Sequence, residues 1–331
     1  MHLKPFTYYR PKSLAHALEL LQSSDPKKSM LMGGGTDILT KMKLRLARPV
    51  AVISLRGLTE LRKIEQQGQE VFIGAACTLS EVKESNLVQH FFPIVAEAAN
   101  RVGSPQLRNM GTIGGNVCLD TRCLYYNQLE WPGSLMPCFK RGGEKCHVVK
   151  KGARCYALYC ADIPPTLLSL DAHLIIAKPS GEREIPIVDF YQDDGISCNC
   201  LKEEEVLVGI KVPIRQNTVS SYKRFSIRGA IDFPFVGVAI SIERLSNGHY
   251  GNPRIAVTGL QSQPLRLRAL ELLLESSHAG EKEIEEVIEQ GVRDIRIVRH
   301  YGISPSYRRN VLKVLIDDGL EECNIKGGRV K

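Results

Sequence analysis

No apolar run in the 331-residue chain approaches the roughly 20 residues that a transmembrane helix needs, so no helical membrane span is expected. Aromatic residues make up 6% of the chain and tryptophan occurs once. The net charge of +8 is neither gathered into runs nor interleaved with stacking aromatics, which argues against a nucleic-acid surface. No G-x-G-x-x-G follows a strand pattern and no G-x-x-x-x-G-K-[ST] occurs, so a dinucleotide here would not bind through a Rossmann or P-loop unit. A G-x-S-x-G elbow is missing as well, and with it the case for a hydrolase. The start, Met1 to Phe6, lacks the charged, apolar and cleavage regions of a secretory signal. The ten cysteines are therefore expected as cytoplasmic thiols or metal ligands, not as a disulfide framework. Internal repeats and low-complexity tracts are also lacking.

Glycine, by contrast, is gathered where it can do chemistry. Leu31-Met32 runs into Gly33-Gly34-Gly35-Thr36-Asp37 and then an amphipathic helix. Open backbone N–H groups, a small hydroxyl and a helix start make a phosphate-gripping turn. A second glycine turn, Arg108-Asn-Met-Gly111-Thr112-Ile113-Gly114-Gly115-Asn116, lies some eighty residues on. Two such turns are expected to clasp opposite ends of one extended ligand, a pyrophosphate with a nucleoside at each end.

The rest of the chain reads as α+β. A strand and a short helix capped by Ser13 occupy residues 1–30, with Leu14, Ala17, Leu18 and Leu21 at helical spacing. Strands follow at 49–53 and 71–75, a capping box at Thr78-Leu-Ser-Glu81, and a helix from Pro93. Residues 166–178 predict a helix and a strand, Gly181 to Arg183 a turn, and 204–213 a strand. Strands near 221–227, 235–244 and 254–258 then precede helices near 265–276, 281–298 and 305–317. Strands in a run followed by helices in a run mark a separate α+β unit. The expected domains are 1–216, with subdomains of about 1–57 and 58–216, and 217–331.

Four cysteines at wide spacing, Cys123-x14-Cys138-x7-Cys146-x8-Cys155, follow the second glycine turn. The residues between them, such as Trp131-Pro-Gly-Ser and Lys140-Arg-Gly-Gly-Glu, are loop-like. So long a loop without regular structure is uncommon in a compact domain, and a metal group cross-linking it would keep it ordered. Scattered free thiols are one reading. Structural zinc is another, although this quartet lacks the close cysteine pairs usual there. A cubane [4Fe–4S] cluster tolerates wide spacing and is the preferred reading. His147 is a possible replacement ligand, and Cys118 and Cys160 lie just outside the set; Cys77, Cys198, Cys200 and Cys323 read as ordinary thiols. Six basic residues (Lys140, Arg141, Lys145, Lys150, Lys151, Arg154) against one acidic residue, Glu144, make this segment either a solvated loop or a docking face for an acidic electron carrier. A phosphate-bearing cofactor beside a metal centre points to electron transfer.

Gly33-Gly-Gly-Thr-Asp37, the Arg108 to Asn116 turn, Ala161-Asp162-Ile-Pro-Pro and Ser306-Tyr-Arg-Arg309 resemble the FAD-binding medium subunits of molybdenum hydroxylases, over nearly the whole chain. Most members of that family lack the cysteine segment. Asp120-Thr-Arg-Cys123-x-Tyr-Tyr-Asn-Gln-x-Glu-Trp131, Lys145-Cys146-His-Val and Arg154-Cys155-Tyr-Ala resemble the 4-hydroxybenzoyl-CoA reductase β subunits, whose insert carries an extra [4Fe–4S] cluster. The resemblance implies a two-subdomain FAD-binding fold of the PCMH type, an iron–sulfur insert at about 120–160, and a smaller C-terminal domain. It implies that Met30, Leu31, Met32, Gly33, Gly34, Gly35, Thr36 and Asp37, with Thr112, Ile113, Gly114, Gly115 and Asn116, embrace the FAD pyrophosphate. Val102, Tyr125 and Asp162 are implied to line the flavin site, and Arg224 stands where the family usually has lysine, with Lys223 beside it. The implied partners are a molybdopterin-containing large subunit, a small subunit with two [2Fe–2S] clusters, and ferredoxin as donor, in a dimer of heterotrimers. The implied activity is reductive removal of the phenolic hydroxyl of 4-hydroxybenzoyl-CoA to give benzoyl-CoA; another molybdenum hydroxylase using NAD, or a zinc-stabilised scaffold, are the alternatives.

Overall fold

A computed structural model describes residues 3–23, 28–127, 137–244, 250–276, 281–300 and 302–323. The Trp131 stretch of the cysteine segment lies outside the described residues. The chain opens with β1 (Thr7–Tyr9), α1 (Leu14–Ser23), β2 (Ser29–Met32), α2 (Ile38–Lys43) and β3 (Ala51–Ser54). The three strands form a parallel sheet in the order β1-β3-β2. The Ser13 hydroxyl accepts from His16 N–H at 3.1 Å, starting α1 as expected.

Next come β4 (Ile64–Gln67), β5 (Glu70–Gly74), and a run of short helices: α3 (Leu79–Glu84), α4 (Asn86–Phe91), α5 (Pro93–Arg101), α6 (Pro105–Arg108) and α7 (Ile113–Val117). The Thr78–Glu81 capping box forms in both directions and fixes the start of α3. The cysteine segment separates α7 from α8 (Ile163–Ser169), after which β6 (His173–Lys178), β7 (Gly181–Pro186) and β8 (Val206–Pro213) complete an antiparallel sheet, β4-β5-β8-β6-β7. Gly181 to Arg183 is strand, not turn: Lys178 pairs with Gly181, so the reversal falls one step earlier, at Pro179-Ser180. α8 begins at Ile163, ahead of the predicted Thr166, because two prolines are tolerated in a first turn.

This sheet is covered on both faces, and the strand period decides which residue goes where. Leu174 and Ile176 of β6 join the core beneath α3, α5 and α8, while Ile175 and Ala177 join the core beneath α1 and β3. A strand buried on both sides reads as a continuous apolar run, which is why β6 shows no alternation in sequence.

The C-terminal part folds as β9 (Thr218–Phe225), β10 (Val236–Arg244), β11 (Tyr250–Thr258) and β12 (Leu265–Arg266), an antiparallel sheet β12-β11-β10-β9, packed against α9 (Arg268–Ser276), α10 (Glu281–Val292) and α11 (Pro305–Glu322). α11 runs past its predicted end through Gly319, where a Cβ would meet Ile240 Cδ1 at 2.8 Å. The glycine there permits close helix–sheet packing and does not cap. Arg308, fully buried, donates to the carbonyls of Val298, Phe235 and Gly259. Gly259 N–H in turn donates to Tyr159 O, and Tyr159 N–H to Gln261 O, both at 2.9 Å. These bonds tie the C-terminal sheet to the strand-like stretch between Cys155 and Asp162.

Candidate functional site: a glycine cradle and a cysteine cavity

β2 delivers Met30, Leu31 and Met32 in register with Val52, Ile53 and Ser54 of β3, and ends at the triple glycine. The turn therefore stands beyond the carboxyl end of a parallel strand, the usual ligand position in open α/β sheets. The N–H groups of Gly33, Gly34, Gly35, Thr36 and Asp37 have no acceptor among the described residues. Five successive donors without partners are what an anion cradle requires.

The second glycine turn does not sit at the far end of a ligand. It packs directly on the first. A Cβ on Gly34 would run into the carbonyl of Met110, and one on Gly33 would meet Thr112 Oγ1 at 2.6 Å. The expected clasp at opposite ends is thus replaced by two stacked turns, and part of the glycine requirement comes from loop–loop contact. The second turn also spends its own donors. Ile113 N–H goes to Cys77 O and Gly114 N–H to Ala75 O, both at 2.9 Å, while Gly115 N–H goes to Thr112 Oγ1 at 3.1 Å. A Cβ on Gly114 would lie 2.7 Å from Ala75 O. The Asn116 side chain accepts from Ile163 N–H at 3.1 Å, bracing α8.

Beside this junction a cavity of about 230 Å³ is lined by Gly34, Arg56, Arg62, Thr78, Ser80, Glu81, Asn109, Met110 and Thr112. Arg56, Ser80 and Asn109 were not legible as site residues. They come from three separate segments, and the bond from Leu55 N–H to Met32 O at 2.8 Å helps set the residue after it beside the glycine turn.

Asp162 is 2% exposed and accepts from Tyr222 Oη at 2.8 Å and Arg224 Nη1 at 2.9 Å. Burial pushes its carboxyl up and the Arg224 charge offsets this only in part, so its pKa stays above the ordinary value. Arg224 also donates to Arg101 O at 2.7 Å and Asp232 O at 3.1 Å, next to Val102. Lys223 does not take its place. Strand alternation turns it to the other face, where it pairs with Glu322 at 2.8 Å. Tyr125 is not beside Asp162 among these contacts: it stands on the wall of the cysteine cavity, its ring 5.2 Å from that of His147.

That cavity gathers all four predicted cysteines. Cys123, Cys138, Cys146 and Cys155 line it together with Tyr125, Tyr126, Phe139, Lys140, His147, Val148, Tyr156 and Ala157, with no carboxylate among the described residues. Val149 N–H donates to Cys146 Sγ at 3.4 Å. Burial raises the Cys123 thiol and pushes Cys155 up to about 11. Among the described residues no three His, Cys, Asp or Glu side chains are placed to hold a single metal ion. Cys118 and Cys160 stand outside the cavity lining: Cys118 is neighboured by Cys198 and Cys200, and Cys160 is buried with Leu158 and Val298. Half of the six basic residues turn inward. Lys140 is 7% exposed in an ion pair with Asp120, Arg141 donates to Tyr126 O at 2.7 Å, and Arg154 pairs with Asp193. Lys145, Lys150 and Lys151 remain exposed.

A cradle of amides open among the described residues, at the end of a parallel strand, suits the phosphates of a nucleotide-type ligand. Residues 4–215 match the model of the FAD binding domain in molybdopterin dehydrogenase, and residues 220–323 that of the CO dehydrogenase flavoprotein C-terminal domain. The chain belongs to the family of FAD-binding medium subunits of the xanthine dehydrogenase and carbon monoxide dehydrogenase class of molybdenum hydroxylases. It is 31% identical over 264 residues to the carbon monoxide dehydrogenase medium chain of Hydrogenophaga pseudoflava, covering 79% of this chain and 77% of that one. It is 25% identical over 325 residues to the xanthine dehydrogenase FAD-binding subunit of Escherichia coli O157:H7, covering 97% of each. A solved structure of carbon monoxide dehydrogenase from Hydrogenophaga pseudoflava superposes with a TM-score of 0.81 at 26% identity, over 98% of this chain and 99% of that chain. No helix among the described residues is long and apolar enough to cross a membrane.

Proposed function

We propose that this FAD subunit serves a molybdenum enzyme of the 4-hydroxybenzoyl-CoA reductase type and holds, besides FAD, a [4Fe–4S] cluster on Cys123, Cys138, Cys146 and Cys155. The observation that carries the reading is the convergence of these four thiols, from positions up to 32 residues apart, on one cavity. When bound, flavin exchanges electrons in pairs or singly and an iron–sulfur cluster passes one at a time. Gly33 to Asp37 offer the amides that would hold the FAD diphosphate, and the buried Asp162–Arg224 pair would present a fixed carboxylate beside Val102. Tyr125, Tyr126 and Tyr156 would keep water from the cysteine cavity.

In this reading reduced ferredoxin is the donor, and Lys145, Lys150 and Lys151 attract its acidic face. Electrons continue to a small subunit with two [2Fe–2S] clusters and a large molybdopterin subunit, in a cytoplasmic dimer of heterotrimers. The domains proposed are 1–216 and 217–331, with the insert at about 120–160.

The test is anaerobic purification of the whole complex with iron, acid-labile sulfide, flavin and molybdenum quantified, followed by assay with 4-hydroxybenzoyl-CoA. Serine at any of the four cysteines is expected to lower iron, whereas Cys118→Ser and Cys160→Ser leave it unchanged. Iron limited to the two [2Fe–2S] clusters would sink the cluster. Turnover of another aromatic or heterocyclic substrate with NAD, and none of 4-hydroxybenzoyl-CoA, would move the subunit to a different molybdenum hydroxylase. Zinc without flavin would make it a scaffold.

A further inference from the structure

One carboxylate touches both candidate cofactor segments. Asp120 follows α7 and opens the cysteine segment. Its Oδ2 accepts from Lys41 Nζ at 2.6 Å, and Lys41 sits in the last turn of α2, the helix hung on Gly33 to Asp37. Its Oδ1 accepts from Lys140 Nζ at 2.5 Å, and Lys140 lines the cysteine cavity two residues beyond Cys138. The Lys140 ammonium has three donors and uses each: the others go to Thr121 Oγ1 at 2.6 Å and Gly195 O at 2.7 Å. Thr121 Oγ1 itself donates to Gly195 O at 2.6 Å. Next along the chain, Arg122 pairs with Asp37 of the glycine turn. The lysine and aspartate side chains are 7%, 12% and 19% exposed, so these bonds are little screened.

Resting on the cluster reading above, we propose that Asp120 is a positioning residue that couples the two segments: filling the cysteine cavity tightens the hold of the glycine turn on FAD. The only regular structure described between Cys138 and Cys155 is the 3-10 turn Phe139–Arg141. A loop with so few backbone bonds keeps one shape only when it is cross-linked. Cross-linking at the cysteines fixes Lys140, a fixed Lys140 fixes Asp120, and Asp120 fixes Lys41 and with it α2. A ligand that meets an already ordered loop loses less entropy on binding, and the effect is reciprocal. Electrostatics agree: burial opposes the Asp120 carboxylate, but Lys140 and Lys41 outweigh it and hold it below the ordinary carboxylate range.

The experiment measures FAD dissociation constants by flavin fluorescence on the full chain, iron-loaded and chelator-depleted, with circular dichroism showing both to be folded. Depletion is expected to weaken FAD binding in the wild type by at least about fivefold, the low end of ordinary coupling. Lys140→Met is expected to bind FAD like depleted wild type in either state. Lys41→Met leaves the cysteine side of the bridge intact, so it should keep its iron and show a loaded-to-depleted ratio near one. Equal constants for loaded and depleted wild type, or a wild-type ratio in Lys41→Met, would overturn the coupling while leaving the cluster standing. Absence of iron and sulfide from the anaerobically isolated wild type overturns the cluster reading and the coupling together.

Discussion

Replacing Arg224 by methionine tests the buried half of the proposed flavin site most sharply. The change removes an ion pair whose members are 8% and 3% exposed, and leaves Asp162 with the Tyr222 hydroxyl as its remaining partner. It also strips the hydrogen bonds to Arg101 O and Asp232 O. Breaking a buried pair by deleting one partner costs about 3–5 kcal/mol. The Tyr222 bond retains about 1 kcal/mol of that, so a loss of about 3 kcal/mol is expected at pH 8. The pH dependence has a definite sign. Asp162 already has a raised folded pKa, and losing Arg224 raises it further. A carboxyl raised in the folded state contributes stability that is complete below its unfolded pKa and lost as pH rises through its folded pKa. The deficit of the variant is therefore largest at alkaline pH and shrinks on acidification, by at most about 1.4 kcal/mol per pH unit, as the carboxyl protonates. Urea midpoints followed by circular dichroism between pH 5 and pH 8 give the measurement. A deficit that is constant with pH, or that grows on acidification, would show that the carboxylate is not the group left stranded.

Three further outcomes follow from the geometry. Gly34→Ala puts a methyl group into the Met110 carbonyl, so the stacked turns must part; losing one charge-assisted amide bond should weaken FAD binding about ten- to a hundredfold in a fluorescence titration. Gly57→Ala, with nothing within 4 Å of the added carbon, is the control and should bind as wild type. Arg308→Met strands the carbonyls of Val298, Phe235 and Gly259 and should cost at least about 3 kcal/mol, read as a lower urea midpoint. Lys223→Met breaks only the half-exposed pair with Glu322, so stability should fall by less than about 1 kcal/mol with FAD affinity unchanged.

Local signals in the sequence placed local structure well. The Thr78–Glu81 box, Pro93 at the head of α5 and the glycine run after β2 each act within one turn of chain, and each stands where it was expected. Misplaced boundaries trace to individual side-chain contacts, one local and one distant in sequence. Ser85 ends one helix and caps the next, splitting α3 from α4 by a single residue that no hydrophobic period marks. α10 stops at Val292, short of 298, and the carbonyls of Val292, Arg293 and Ile295 are taken up by Arg309 of α11 instead of by a continuing helix. The cysteine segment read as carrying surface charge, and its sequence could not say that Lys140 and Arg154 pair with Asp120 and Asp193.

The two glycine turns looked alike as sequence, and their difference is a matter of what lies beneath them. The first leaves the end of a parallel strand, where the ladder stops and the following amides find no acceptor among the described residues. The second crosses the bridge between Thr78 and Thr112 and enters α7 over the end of β5, so Cys77 and Ala75 accept from Ile113 and Gly114. Glycine in the second turn serves the approach of backbone to backbone; in the first it leaves amides open for the diphosphate proposed above. Since the second turn is what holds Gly33 and Gly34 in place, its glycines control the cradle from outside it. Enlarging Gly114 against Ala75 should therefore disturb FAD binding through the position of Thr112, with no amide of its own withdrawn from the ligand.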